Sequence, residues 1–230
     1  MDNGQGAFQS FWEISRQKGE QTSKYPYDKV ISFVFRHYPR NLSKADIKIL
    51  EIGCGAGNNL WPLAKEGFQV YGIDGSKTAI NLAIQQFNEY GLIGRFYQQD
   101  FTDEYPFEND FFDLVIDRGA LTCVSFDSAT SAISHIFRVM KKGGYFFFNP
   151  YSSNHSSYRN DQKHASDNYI ETTSGTIAGV GKICFYDYEL VQLLFKNHFW
   201  ELRQIKELIY YDYLDEDNMH AEWEVVAEKL

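Results

Sequence analysis

"ILEIGCGAGNNL", residues 49–60, is the stretch that decides the fold. An apolar run ends in a carboxylate, Glu51, and glycines then stand at every second position: Gly53, Gly55 and Gly57. A continuous apolar run of this length reads as a strand covered on both faces, as the strands of parallel sheets are. Glycines beyond its end remove Cβ atoms, so a ligand can come close to the backbone. In open parallel sheets, ligands bind past the carboxyl ends of the strands, where the first strand turns into the first helix.

The surrounding chain repeats the pattern. "QVYGID" (69–74), "FFDLVID" (111–117) and "GYFFFN" (144–149) are further buried-strand runs, and "RFYQQ" precedes Asp100 at the end of another. Helical periodicity fills the gaps. Residues 77–90 place Ala79, Ile80, Ala83, Ile84 and Phe87 on one face, with Ser76 as N-cap and Gly91 past the end. Residues 128–140 align Ile133, Ile136, Phe137 and Met140, and "KKGG" closes that helix. A helix over about 187–197, capped by Asp187, aligns Leu190, Leu193 and Leu194. "WELRQIKELIYYDY" and "HAEWEVVAEKL" are separated only by the acidic loop "LDEDNM", too short for a crossover helix, so they form an antiparallel pair. The expected fold is α/β: a Rossmann-like, mostly parallel sheet of seven strands, helices on both faces, and a final antiparallel strand pair.

One domain of 230 residues accommodates all of this. A core over 46–150 is preceded by an aromatic, helical segment (8–38) and followed by a polar, irregular insertion (151–183). The terminal helix and strands (184–230) complete the sheet. Net charge is −9, from 22 basic against 31 acidic residues, and no basic patch stands out, so nucleic acid is not an expected partner. Three scattered cysteines suit a reducing cytoplasm. No apolar run reaches membrane-spanning length, and the start has no signal-peptide pattern.

The ligand follows from the charges. A dinucleotide fingerprint reads G-x-G-x-x-G and faces a pyrophosphate. Here the spacing is G-x-G-x-G, Asn58 stands at the third dinucleotide position, and Glu51 would repel phosphate but attract an ammonium group. Asp74 ends the second strand 23 residues later, where an acid accepts ribose hydroxyls. Asp100 or its neighbours can accept from an adenine amino group. Ammonium, ribose and adenine without phosphate together describe S-adenosylmethionine.

These residues resemble the class I S-adenosylmethionine-dependent methyltransferases. "ILEIGCGAGNN" is similar to their first motif, "VYGIDGS" to the acidic end of the second strand, and "QQDF" to the adenine-side segment. "FFDLVIDRGALTCV" and "KKGGYFFF" resemble the fourth-strand segment and the turn into the fifth strand. The resemblance covers about residues 46–228. It implies that Glu51, Gly53, Gly55 and Gly57 face the methionine part, that Asp74 and Gly75 hold the ribose, and that Asp100 and Phe101 border the adenine, with Asp117 nearby. It implies methyl transfer. Segments 8–38 and 151–183 are expected to cap the cofactor cleft together and form the acceptor pocket, and their polar, aromatic and small residues suit a small-molecule acceptor methylated on O or N. The cofactor carries the electrophile in such chemistry, so few catalytic residues are needed. Candidates are Asp117 and Arg118 at the fourth strand's end, Arg118 orienting an anionic substrate, and His155 as a general base. His155 otherwise reads as a solvated loop histidine. Amine- and base-modifying relatives of this family often carry an N-P-P-Y type motif at the fourth strand's end, where this chain has "DRGALT"; its "NPY" at 149–151 follows the fifth strand instead, which counts against nucleobase methylation. No metal is expected: His155, Asp161, His164 and Asp167 fit no standard ligand spacing. Cys123 lacks a paired histidine and is not read as a nucleophile. Trp12, Tyr25, Tyr27 and Tyr151 are aromatics that can close over a sulfonium. Two other classes remain in view: a nicotinamide-dependent oxidoreductase, which shares the sheet, and a non-catalytic S-adenosylmethionine-binding protein, which would keep the same motif.

Overall fold

Residues 8–20, 23–162, 168–196, 199–215 and 218–230 are described by the computed structural model. Two amphipathic helices, α1 (Ser10–Gln17) and α2 (Asp28–His37), precede the sheet. Strand β1 (Lys48–Ile52) leads through the glycine loop into the short helix α3 (Leu60–Lys65), whose Pro62 sits in the first turn, where no helical N–H is lost. Next come β2 (Gln69–Asp74), α4 (Lys77–Glu89), β3 (Gly94–Gln98), β4 (Phe112–Asp117), α5 (Phe126–Val139) and β5 (Met140–Phe148). An inserted region holds α6 (Ser156–Asp161), β6 (Tyr169–Thr172) and β7 (Gly181–Cys184). The chain ends with α7 (Tyr188–Leu194), β8 (Trp200–Tyr211) and β9 (Met219–Lys229).

The main sheet has seven strands in the order β3-β2-β1-β4-β5-β9-β8. Pairing is parallel from β3 to β5, and β9 runs antiparallel to both β5 and β8. The expected architecture is present. Strand order reverses between β1 and β4, and a crevice opens at their carboxyl ends. Register there pairs Ile52 with Asp117, so the glycine loop after β1 lies beside the segment that begins with Arg118. Two apolar layers sandwich the sheet: α5 and α7 side chains with Leu50, Val115 and Phe146 on one face, and α2 and α3 side chains with Ile49, Leu114 and Phe147 on the other.

Helix caps fall where the sequence puts them. Ser76 accepts from Ala79 N and Asp187 from Leu190 N. Three expectations change. Ile84 and Leu193 stand on their helices' outer faces, 43% and 50% exposed. Met140 begins β5 instead of ending a helix, because "KKGG" forms an irregular stretch of strand with Gly143 at φ +75°. Among its described residues the insertion is not irregular throughout. Strands β6 and β7 form an antiparallel hairpin whose Ile170 and Ile183 bury against Phe185. His164 and Asp167 lie outside the described residues, as do residues 197, 216 and 217 of the expected terminal helix and acidic loop.

Candidate active site

Gly53, Gly55 and Gly57 all have positive φ (60°, 54° and 77°), a conformation in which a Cβ would be strained. Packing adds a second reason. A Cβ on Gly53 would come within 2.3 Å of the Ala120 Cβ, and one on Gly57 would press on the Phe87 ring. The loop's own turn therefore demands these glycines, beside any room they leave for a ligand.

Glu51 is 2% exposed. Its Oε1 accepts from Asn59 Nδ2 at 2.6 Å, while Oε2 is buried and has no hydrogen-bond partner. Burial pushes its pKa up to about 8, against the opposing hydrogen bond from Asn59. This is a carboxylate held in place and short of a cation. Asp74 accepts from Gly55 N and Ser76 N at 2.8 Å each. Burial raises its pKa, while those two amides act against the rise. Each oxygen keeps lone-pair capacity for a further donor.

Two adjoining cavities flank the loop. One, of about 140 Å³, is lined by Phe8, Trp12, Asp74, Gly75, Phe101 and Cys123 among others. The second, of about 330 Å³, is lined by Tyr25, Tyr27, Glu51, Gly55 and Asn59 among others. Arg16, Gly53 and Arg118 border both. Glu51 thus faces one cavity. Asp74 and an apolar, aromatic end face the other.

Other predicted residues separate. Gly75 lies under the Phe8 ring, since an added Cβ would meet it at 2.3 Å. Asp100 does not line either cavity: its carboxylate accepts from Thr102 N, Thr102 Oγ1 and Phe8 N, holding its own turn and the N-terminal segment. Asp117 is fully buried and turned inward, with Oδ1 accepting from Ala120 N and Leu121 N. Burial raises its pKa to about 7, its Oδ2 is buried without a hydrogen-bond partner, and it lines neither cavity. His155 is not a solvated loop residue. It is fully buried, caps α6 through Nδ1, and meets His220 at 3.3 Å. Tyr151 is half-buried but borders neither cavity. Cys123 borders the smaller cavity, and burial raises its thiol pKa. Among the described residues, no group of three or more His, Cys, Asp or Glu could hold a metal ion.

The sequence reading missed Arg16, Phe8 and Asn59. Asn59 links the loop to the N-terminal segment: its Oδ1 accepts from Tyr27 N at 2.8 Å while its amide holds Glu51. Arg16 presents a guanidinium over the loop, its Nη2 3.1 Å from where a Gly55 Cβ would stand, and its Nη1 is buried without a partner. No periodicity signals such a role for a lone arginine on a surface helix.

Residues 49–144 match the family described as "Methyltransferase domain". Residues 49–144, which carry the glycine loop and Asp74, are thus similar to a methyltransferase domain, and the fold is that of the class I S-adenosylmethionine-dependent methyltransferases. Human tRNA N(3)-cytidine methyltransferase METTL2B is 35% identical over 117 residues, covering 47% of this chain and 31% of that protein. The chain thus spans about a third of that relative's length. A solved S-adenosylmethionine-dependent methyltransferase from Methanosarcina mazei superposes with TM-score 0.69 at 22% identity, covering 86% of this chain and 97% of that one. The cyclase SpnF shares the fold with TM-score 0.68 at 14% identity, covering 96% and 93%. The family's cofactor is S-adenosylmethionine, and the residues present fit it: an orphaned buried carboxylate oxygen for the ammonium, and Asp74 with spare acceptor capacity for a diol.

Proposed function

We propose that this protein transfers the methyl group of S-adenosylmethionine to an O- or N-nucleophile on a small, anionic acceptor bound on the Arg118 side of the cleft. When bound, the cofactor supplies a sulfonium methyl that the acceptor's lone pair takes, while the carbon–sulfur pair returns to sulfur. Glu51 would hold the ammonium, Asp74 the ribose hydroxyls, and Phe101 with Trp12 the apolar nucleoside end. The observation that carries the acceptor class is Arg118. Its side chain borders both cavities, stacks over the Tyr27 ring at 4.2 Å, and has a buried Nε without a hydrogen-bond partner. A guanidinium at the meeting point of two cavities, with an unfilled Nε donor beside its contacts to Tyr151 and Glu222, favours a carboxylate or phosphate group. Aromatic walls and partial enclosure keep water from competing for the methyl group.

A second reading, an RNA acceptor, draws support from the tRNA-modifying relative. Net charge of −9 and the docking of α1 beside the cleft weigh against it. Release of S-adenosylhomocysteine is the test, with a panel of hydroxy- and amino-carboxylates in one arm and bulk tRNA in the other. Turnover with a carboxylate and none with tRNA is expected. Turnover with tRNA alone would overturn the small-acceptor reading.

A further inference from the structure

Beneath the Arg118 side of the cleft lies a chain of polar side chains that methyl transfer as described above does not use. The Tyr27 hydroxyl donates to Glu222 Oε1. The other carboxylate oxygen, Oε2, lies 3.5 Å from His220 Nε2. His220 Nδ1 lies 3.3 Å from His155 Nε2, which also meets Thr176 Oγ1 at 3.1 Å. Glu222 is 2% exposed and sits in the middle of β9, an uncommon place for a carboxylate.

The hydrogen-bond directions can be worked out from one fixed point. The backbone N–H of Ser157 donates to His155 Nδ1 at 3.1 Å, so that nitrogen carries a lone pair. Burial holds the His155 pKa down to about 4, with His220 adding to the effect, so the neutral ring carries its hydrogen on Nε2. That hydrogen can point to His220 Nδ1, which leaves the His220 hydrogen on Nε2, facing Glu222. Both Glu222 oxygens then accept, one from Tyr27 and one from His220. The groups facing this carboxylate are Tyr27 ahead of α2, Arg118 after β4, Tyr151 after β5, and Tyr210 and His220 on β8 and β9. Although burial opposes it, the donors His220 and Tyr27 and the Arg118 charge hold the Glu222 pKa below its ordinary value. It is ionised at neutral pH and able to receive a proton.

The cluster reaches from the cleft to the surface. Tyr27 lines the larger cavity next to Glu51 and Arg118, and its backbone is pinned to the glycine loop through Asn59. At the other end, the His220 side chain is 29% exposed and borders an open hollow with Thr176 and Tyr210. We propose that Tyr27 is the catalytic residue that takes the acceptor's proton, and that Glu222, acting through Tyr27, is the positioning residue that receives Tyr27's own. As the acceptor's O or N forms its bond to the methyl carbon, its hydrogen passes to Tyr27 Oη and the Tyr27 hydrogen passes to Glu222 Oε1. The carboxylate becomes a carboxylic acid, and the proton leaves to water on the exposed His220 side. The positive charge lost from sulfur reappears as that proton. This inference rests on the small-acceptor reading above only for the identity of the group that gives up the proton.

Two measurements test it on the full chain. Ring ¹⁵N NMR of the protein bound to S-adenosylhomocysteine, at neutral pH, should show His155 and His220 each protonated at Nε2 and unprotonated at Nδ1. A hydrogen on Nδ1 of either ring breaks the chain and overturns the proposal. Turnover of the carboxylate acceptor found by homocysteine release should fall about 100-fold in kcat for Tyr27→Phe and Glu222→Gln, the scale of a lost proton-transfer group. KM and S-adenosylhomocysteine affinity should stay as in the wild type, Glu222→Asp should recover part of the rate, and the acidic limb of the kcat–pH profile should vanish in Glu222→Gln. A Tyr27→Phe protein with wild-type kcat overturns the proposal. Failure of the small-acceptor reading is distinguishable, since the wild type would then release no S-adenosylhomocysteine with any carboxylate while the NMR result still decides the hydrogen-bond chain.

Discussion

Glu51 shows how a single residue can carry both a sequence reading and a measurable consequence. Its carboxyl, held up to about 8 by burial, is mostly protonated at pH 7 in the ligand-free protein. An arriving ammonium favours the charged form, so binding of S-adenosylhomocysteine should release a proton. The sign follows: affinity should rise as pH climbs toward 8, because less work is then spent deprotonating Glu51. Calorimetry in buffers of different ionisation enthalpy should show proton release at pH 7, and its absence in Glu51→Gln. Arg16 allows a second residue-scale expectation. With Nη1 buried and unpartnered beside the glycine loop, it is expected to meet the cofactor's own carboxylate. Arg16→Ala should weaken S-adenosylhomocysteine binding roughly 10- to 150-fold, the range of a charged hydrogen bond worth about 1.5–3 kcal/mol. Methylthioadenosine, which lacks the amino-acid portion, should bind the variant and the wild type alike. Glu51 was legible because a carboxylate at the end of an apolar strand is conspicuous. Arg16 was not, because its role arises only when α1 folds back across the loop. Glu222 left a usable signal, a buried-strand pattern interrupted by acids in "HAEWEVV", that was read only as strand.

At the scale of elements, the N-terminal segment and the insertion meet. Glu13 of α1 accepts from Ser76 Oγ, Thr78 N and Thr78 Oγ1 at the start of α4, which fixes the helix beside the cleft. Gln9 reaches across to the insertion, donating to Lys182 O at 2.9 Å and to Cys123 O. We propose that the two segments close the cleft as one unit. Hydrogen exchange should slow in both 8–20 and 168–184 when S-adenosylhomocysteine binds, and Gln9→Ala should uncouple them, leaving the hairpin's exchange rate unchanged by ligand. Acid should separate the pieces too. The hydrogen bonds from Ser76 and Thr78 lower the Glu13 pKa from 4.5 to about 2. A carboxylate depressed in this way adds stability above its ordinary pKa and loses it as pH falls through the lower value. Docking of α1, followed by Trp12 fluorescence, should therefore weaken between about pH 4.5 and 2 and be insensitive to pH there in Glu13→Gln. The helices were readable from their apolar spacing and caps. The β6–β7 hairpin was not, because "YIET" and "GKIC" are four residues each, too short for alternation to stand out from a polar surround.

The whole molecule carries one fold on which more than one chemistry can sit, since a cyclase shares it, so the test at this scale must concern the ligand rather than the shape. Alternating periodicities made the parallel half and the antiparallel pair legible, because each strand is a continuous apolar run and each helix keeps its spacing. How the final pair inserts, with β9 between β5 and β8, is not a matter of periodicity; both strands are compatible with the edge. A ligand that binds only the folded chain stabilises it by an amount set by its excess over Kd. At 100 times Kd the gain is about 2.7 kcal/mol. For a chain of 230 residues, each kcal/mol corresponds to roughly 2–4 °C. S-adenosylhomocysteine at that excess should therefore raise Tm by about 5–10 °C, while NAD at the same concentration should leave it unchanged. Glu51 explains the asymmetry, since an arriving ammonium draws the buried carboxyl into its charged form and pairs with it, while a pyrophosphate gains no such partner. Glu51→Gln should shrink the S-adenosylhomocysteine shift without creating one for NAD, because the loop carries Asn58 where a dinucleotide site needs its third glycine. A shift with NAD in the wild type would return the chain to the nicotinamide-dependent class.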